Sequence, residues 1–276
     1  MSPIFTDATY QTVEQYTGKR DPAIWTGAYL AAEVLRYLTT QAPDAQRQIE
    51  STLRVLHRWW SIPSDPGNLA RFAAPASSPP EILATLPLED DEVHQTDYEG
   101  EAWLWRGNVS RDQYQGVMLG YSLAYDALTE ASLRALIRDD VVELAEQLMR
   151  RERRDVSVIV NGRRIDVELE LENVIYSASD MPHGIPTIEV DLGTQEVEGH
   201  GLLVFWPNPS VYLRQIPGLG WLPDVKLRSQ AIQLAAAFRV ALQVTEGVPG
   251  YEQRHQALSN YYDEHFNEWL DMADGW

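Results

Sequence analysis

Trp103-Leu104-Trp105-Arg106-Gly107-Asn108-Val109-Ser110-Arg111-Asp112-Gln113-Tyr114-Gln115-Gly116 is the stretch on which the reading of the fold turns. It carries two tryptophans, an arginine and a glycine into a helical pattern in which Tyr114, Val117, Met118, Tyr121, Ala124, Tyr125 and Leu128 share one face. Ser110 and Gln113 have the spacing of a capping box, and Asp112 falls in the first turn, where the helix dipole favours an acid. The free backbone N–H groups of such a helix start also offer a place for a ligand.

Working outward, the same period recurs in pairs. Asp21-Pro22 reads as an N-cap followed by proline at the first helical position, and Ile24, Trp25, Ala28, Ala31, Ala32, Leu35 and Leu38 continue the pattern to about Thr40. Beyond Ala42-Pro43-Asp44, a second stripe of Ile49, Leu53, Leu56 and Trp60 stops before Pro63. A fourth helix runs from Glu130 through Leu133, Ile137, Val141, Leu144 and Leu148. After Pro223-Asp224, residues Ala231 to Phe238 are apolar nearly all round, which predicts an enclosed helix, and Leu258, Tyr262, Phe266 and Trp269 mark a last one. Short connections make these six helices three antiparallel hairpins.

Two segments interrupt them. Residues 61–102 shift towards Pro, Ser, Ala and acid, with Ser77-Ser78-Pro79-Pro80 and Glu89-Asp90-Asp91-Glu92, and are expected to form a flexible loop. Residues 155–221 change to strict alternation: Val156, Val158 and Val160 precede Asn161-Gly162, and Ile165, Val167, Leu169 and Leu171 follow it. Asn-Gly between alternating runs is a strong hairpin signal, and Thr187–Leu192 and Gly201–Trp206 add further strands to this β insertion. The predicted fold is mainly α: antiparallel helical hairpins of α/α-toroid type in one domain, 1–276, with a small inserted β-hairpin or sheet. Three hairpins make a partial toroid, since closure needs about six. Self-association or additional C-terminal helices would complete it.

The chain has 276 residues, 44% of them hydrophobic, and a net charge of −19 with Lys19 and Lys226 as its only lysines. Such a balance argues against nucleic acid and anionic membrane surfaces as partners. There is no cysteine, so disulfides, thiolate metal sites and cysteine nucleophiles are excluded. No apolar run has membrane-spanning length, and Met1-Ser2-Pro3-Ile4-Phe5-Thr6-Asp7 lacks the marks of a signal peptide. The default compartment is cytoplasmic, or secreted or periplasmic if a leader has been removed.

Asp21-Pro22-Ala23-Ile24-Trp25-Thr26-Gly27-Ala28-Tyr29-Leu30-Ala31-Ala32-Glu33, together with Trp105 to Gln113 and Tyr125-Asp126, resembles a group of bacterial α/α-toroid proteins similar in architecture to the six-hairpin glycosidases. The likeness spans about residues 20–150. It implies a carbohydrate-active protein, a polysaccharide hydrolase or lyase. In that group an acid usually stands where this chain has Asn108, and a histidine often stands where it has Val117.

Two carboxyl groups flanking a glycosidic bond are what hydrolysis requires, and Asp112 and Asp21, each opening the first helix of its hairpin, are the candidate acid and base. Both also suit plain capping roles. Trp25, Tyr29, Trp103 and Trp105 are candidate stacking platforms for sugar rings, with Arg106, Asn108 and Gln113 as hydrogen-bonding partners. The alternative is a non-catalytic carbohydrate-binding or assembly module. No cofactor or metal is expected, because the six histidines, His57, His94, His183, His200, His255 and His265, form no HExxH pattern. Asp263-Glu264-His265 reads as solvated surface. No phosphate loop and no Gly-x-Ser-x-Gly elbow is present.

Overall fold

The computed structural model describes residues 2–18, 20–160, 162–181, 184–191 and 196–274. Two compact units divide the chain: the first comprises Met1–Ser64 and Asn68–Ile137, the second Asp65–Gly67 and Arg138–Trp276.

In the first unit, β1 (Ser2–Phe5) and β2 (Val13–Thr17) form a hairpin, followed by α1 (Pro22–Thr40) and α2 (Pro43–Ser61). Proline opens both helices, where its missing N–H is no loss. Then come β3 (Phe72–Pro75), a single turn α3 (Pro80–Leu83), β4 (Val93–Tyr98), β5 (Glu101–Arg106) and α4 (Arg111–Ala127). A further helix, α5 (Ala131–Met149), is divided between the units.

Residues 61–102, expected as a loop, therefore supply most of a three-stranded antiparallel sheet ordered β3-β5-β4. The turn from β4 to β5 is Glu99-Gly100, with φ of 53° and 81°, the conformation a two-residue hairpin demands. Glutamate is outside the usual Asn/Asp-Gly signal. Strand β5 buries Trp103, Leu104, Trp105 and Arg106 in succession, so no alternation betrays it.

The core of this unit joins Leu30 and Val34 of α1, Leu53, Leu56, Trp59 and Trp60 of α2, and Tyr114 and Tyr121 of α4. Trp60 meets Tyr114 edge-on at 5.7 Å and stacks on Tyr121 at 6.3 Å. Helices α1 and α4 touch backbone to backbone. A Cβ at Gly27 would lie 2.1 Å from the Gly116 carbonyl oxygen, one at Gly116 2.5 Å from Ile24 Cα, and one at Gly120 2.5 Å from the Gly27 carbonyl oxygen. Three helical glycines, each less favourable than alanine by about 1 kcal/mol, are thus explained by close approach.

In the second unit, β6 (Glu152–Val160) and β7 (Arg163–Leu171) pair around the expected turn; its Gly162 has φ of 80°, while Asn161 lies outside the described residues. They are followed by β8 (Val174–Tyr176), β9 (Thr187–Asp191), β10 (Glu196–His200) and β11 (Leu202–Val204). The expected strand end Leu192 and His183 are also outside the described residues. The main sheet is ordered β10-β9-β6-β7, and β6 runs parallel to β9, with Val158 beside Ile188. A second, two-stranded sheet pairs β11 with β8. Their core holds Val156, Val158, Leu169, Leu171, Ile188, Val204 and Trp206, all at most 1% exposed. The unit closes with a short α6 (Ser210–Leu213) and the pair α7 (Arg228–Thr245) and α8 (Glu252–Ala273).

Phe238 of α7 lies 4.9 Å from Tyr261 and 5.6 Å from Trp269 of α8, ring centre to ring centre. Helix α7 is not enclosed all round as predicted: Ile232 is 49% exposed. Nor is His265 solvated surface, since its ring stacks on Trp269 at 5.6 Å.

The mainly α, α/α-toroid expectation is overturned. Among the described residues, eight helices make up 46% and strands 22%, in four sheets that include a mixed four-stranded one, so the protein is mixed α/β. The six long helices occur where their periodicity puts them. What the pattern under-reads is the strand content between them.

Candidate functional site

The residues singled out in the sequence converge on the N-terminal ends of α1 and α4 in the first unit, though not in the roles expected of them. Ser110 is the N-cap of α4 but makes no side-chain cap bond, so no capping box forms. Gln113 turns to the neighbouring helix instead. Fully buried, it accepts a hydrogen bond from the Ile24 N–H at 3.0 Å through Oε1 and donates from Nε2 to Asp21 Oδ1 at 3.1 Å. It caps α1 from outside, because Gly27, Gly116 and Gly120 bring the two helices close enough for a glutamine to span the gap.

Relieved of capping, the Asp21 side chain stays half exposed, and Asp112 in the first turn of α4 is exposed. Arg71, which the sequence reading missed, joins this cluster. Its guanidinium donates to the backbone carbonyls of Arg20 (2.7 Å) and Asn108 and lies 3.9 Å from Asp21 Oδ1. Burial pulls its pKa down, while the charges of Glu92, Asp112 and Asp21 act in the opposite direction.

Arg106 is only 3% exposed and forks between Asp90 and Glu92, at 2.8 Å to each. It holds the 85–92 loop onto β5, and one carbonyl of that loop, Thr85, also accepts from it at 3.4 Å. A buried arginine compensated by two carboxylates is a structural clamp, because removing either side leaves an unpaired charge. The ligand-binding expectation for Arg106 is corrected accordingly. Asn108 is exposed, has φ of 46°, a conformation asparagine tolerates better than most residues, and donates from Nδ2 to Glu92 Oε1 at 2.8 Å.

The aromatic candidates separate cleanly. Trp103 and Trp105 are 6% and 0% exposed on β5. Arg58 covers the ring of Trp103 at 5.1 Å, and Trp105 donates its indole N–H to Thr96 Oγ1 at 2.9 Å and packs on His94. Neither has a face left for a sugar, so both expected platforms are core residues. Trp25 is 64% exposed and Tyr29, one turn further along α1, 44%. The Tyr29 hydroxyl donates to Gln48 Oε1 at 3.4 Å; burial and then the Glu33 charge raise its pKa.

In the second unit, Glu189, Glu198 and His200 have ligand atoms within 4.8 Å of one another on β9 and β10, but all three are exposed. Exposed acidic side chains commonly sit so without an ion. Among the described residues, no helix is long and apolar enough to cross a membrane.

Compared with known proteins, the chain matches no family model, no curated protein and no solved structure, and nothing identifies a relationship to α/α-toroid glycosidases.

Proposed function

We propose that the N-terminal end of the α1–α4 pair binds carbohydrate. The observation that carries this reading is Trp25. A tryptophan ring 64% exposed, one turn after Asp21 on a rigidly held helix, offers the flat apolar face on which a pyranose stacks. Asp21 and Asp112 would accept hydrogen bonds from sugar hydroxyls, with Arg71 providing a donor or a partner for an acidic substituent.

A second reading, hydrolysis or elimination on a polysaccharide, has one observation in its favour. Asp21 and Asp112 open neighbouring helices and both present a carboxylate to solvent, Asp21 half exposed while accepting from Gln113 Nε2 and Asp112 exposed, as an acid and base pair requires.

A glycan array combined with reducing-sugar release on acidic polysaccharides separates the two. Binding requires a glycan whose retention is lost in Trp25→Ala. Catalysis requires release that disappears in Asp112→Asn while retention persists. Absence of any glycan retained by the folded protein removes both readings.

A further inference from the structure

Strand β7 forms one edge of the four-stranded sheet in the second unit. In an antiparallel ladder a residue sends its N–H and C=O to one side, and the next residue sends them to the other. Gln215 shows which residues of β7 face outward. Its amide accepts from the Glu170 N–H and donates to the Glu170 carbonyl, at 3.0 Å each, in place of a further strand. Glu168, Asp166 and Arg164 face the same way. Among the described residues nothing meets their outward backbone groups, and all three are exposed.

Proteins normally blunt an open edge with proline, a bulge, a very short strand or a charge pointing into the core. Strand β7 has none of these. It is nine residues long, pairs with β6 without a register shift, and turns Ile165, Val167, Leu169 and Leu171 to the core. Leu169 and Leu171 are fully covered, whereas Ile165 and Val167 pack on the core and remain partly exposed. The stretch with the open backbone is thus also the stretch where the core is incompletely covered.

The charges on the other face say what would complete it. Arg164, Asp166 and Glu168 set a cation at one end and an anion at the other, so the strand complements a reversed copy of itself. With a two-fold axis at Asp166, Arg164 stands opposite Glu168 at both ends, and on the core face Ile165 stands opposite Val167. All three outward residues then exchange both hydrogen bonds with their counterparts. The one like-charge opposition is Asp166 with itself, and each carboxylate is already held by Ser157 Oγ and, at 2.9 Å, by Arg164 Nε of its own chain. Moving the axis to Val167 would set Asp166 against Glu168 and require the Glu170 backbone, which Gln215 occupies. Moving it to Ile165 would leave Glu168 facing the turn at Gly162.

We propose that β7 pairs antiparallel with β7 of a second copy of this chain about Asp166, joining the two four-stranded sheets into one across the Arg164–Glu168 pairs.

The pairing is small, so association should be weak and seen at high protein concentration. Sedimentation velocity of the full chain is expected to show a concentration-dependent dimer. Hydrogen exchange at the Arg164, Asp166 and Glu168 amides should slow over the same concentration range, with the Glu170 amide, already held by Gln215, as internal reference. Arg164→Glu and Glu168→Arg should each weaken the dimer about tenfold, because each sets like charges opposite at both ends of the strand pair. An equimolar mixture of the two variants should restore it, since every reversed charge then faces an opposite one. A strict monomer up to about 1 mM, a dimer in which the three amides exchange as before, or a mixture no tighter than the separate variants would each overturn the proposal, the first of these leaving the edge to an unrelated chain. Should either variant fail to fold, exchange in the unaltered chain decides alone. None of these outcomes depends on the carbohydrate reading of the first unit.

Discussion

Helices α1 and α4 of the first unit and helices α7 and α8 of the second are joined by opposite means. The first pair meets where side chains are missing, at Gly27, Gly116 and Gly120, and the second meets through Phe238, Tyr261 and Trp269. Backbone contact fixes helix position tightly and places polar groups of one helix within reach of the other. Aromatic contact gives more buried area with less positional constraint. The difference explains why the polar cluster of Asp21, Gln113, Arg71 and Asp112 is built at the glycine-joined pair.

Removing atoms should harm one pair, and adding them the other. The largest loss is expected for Phe238→Ala, about 4 kcal/mol, as for other large aromatic truncations in cores. Urea unfolding followed through the second unit measures it, and a loss below 1 kcal/mol would show that the aromatic contact does not hold α7 to α8.

Gly27→Ala comes next, at about 3 kcal/mol, because the new methyl meets backbone that cannot rotate away. Combining it with Gly116→Ala should cost less than the sum of the single variants, since either methyl already separates the helices. Strict additivity in a double-mutant cycle would mean that the two glycines act independently. Gln113→Ala should cost about 2 kcal/mol through the unpaired Ile24 N–H and the loss of its bond to Asp21. Gln113→Glu, which keeps the acceptor for Ile24 but sets a charge against Asp21, should recover little of it.

The smallest effect at neutral pH, and a growing one above it, concerns the second unit. Burial, reinforced by the Glu172 charge, raises the pKa of Tyr212 and Tyr261 above the ordinary phenol value of 10.0. The unfolded chain therefore loses these protons first. The stability they contribute is complete below pH 10 and falls as the pH rises beyond it. Tyrosinate absorbance should show these two phenols ionising together with loss of the second unit's ellipticity. Their titration at an ordinary phenol pKa with the fold intact would contradict their burial.

Much of the helical framework was legible because amphipathic stripes and Pro-initiated turns are local signals. Strand β5 was not, since its last four residues are all buried and the alternation that marks a half-exposed strand is absent. Its turn, Glu99-Gly100, carries an atypical first residue. The parallel pairing of β6 with β9 joins residues about thirty positions apart, and no local pattern encodes it.

The site divides in the same way. That Asp21 and Gln113 stand at helix starts could be read directly. That Gln113 serves the other helix could not, because its partner lies 89 residues away. Arg71 was hidden in a segment read as loop; the trace it leaves is a single charge inside the run Leu69-Ala70-Arg71-Phe72-Ala73-Ala74.

The bond from Ile24 to Gln113 has a kinetic consequence as well. A helix normally completes its first turn with residues close at hand, within the sub-microsecond span of local folding. Here one amide of the first turn finds its acceptor only after α4 has arrived, so the start of α1 matures with a long-range event rather than a local one. During refolding, the Ile24 amide should exchange with solvent after the middle of α1 is already protected, and its protection should appear together with that of the α4 backbone. That single proton records the moment at which the two helices meet.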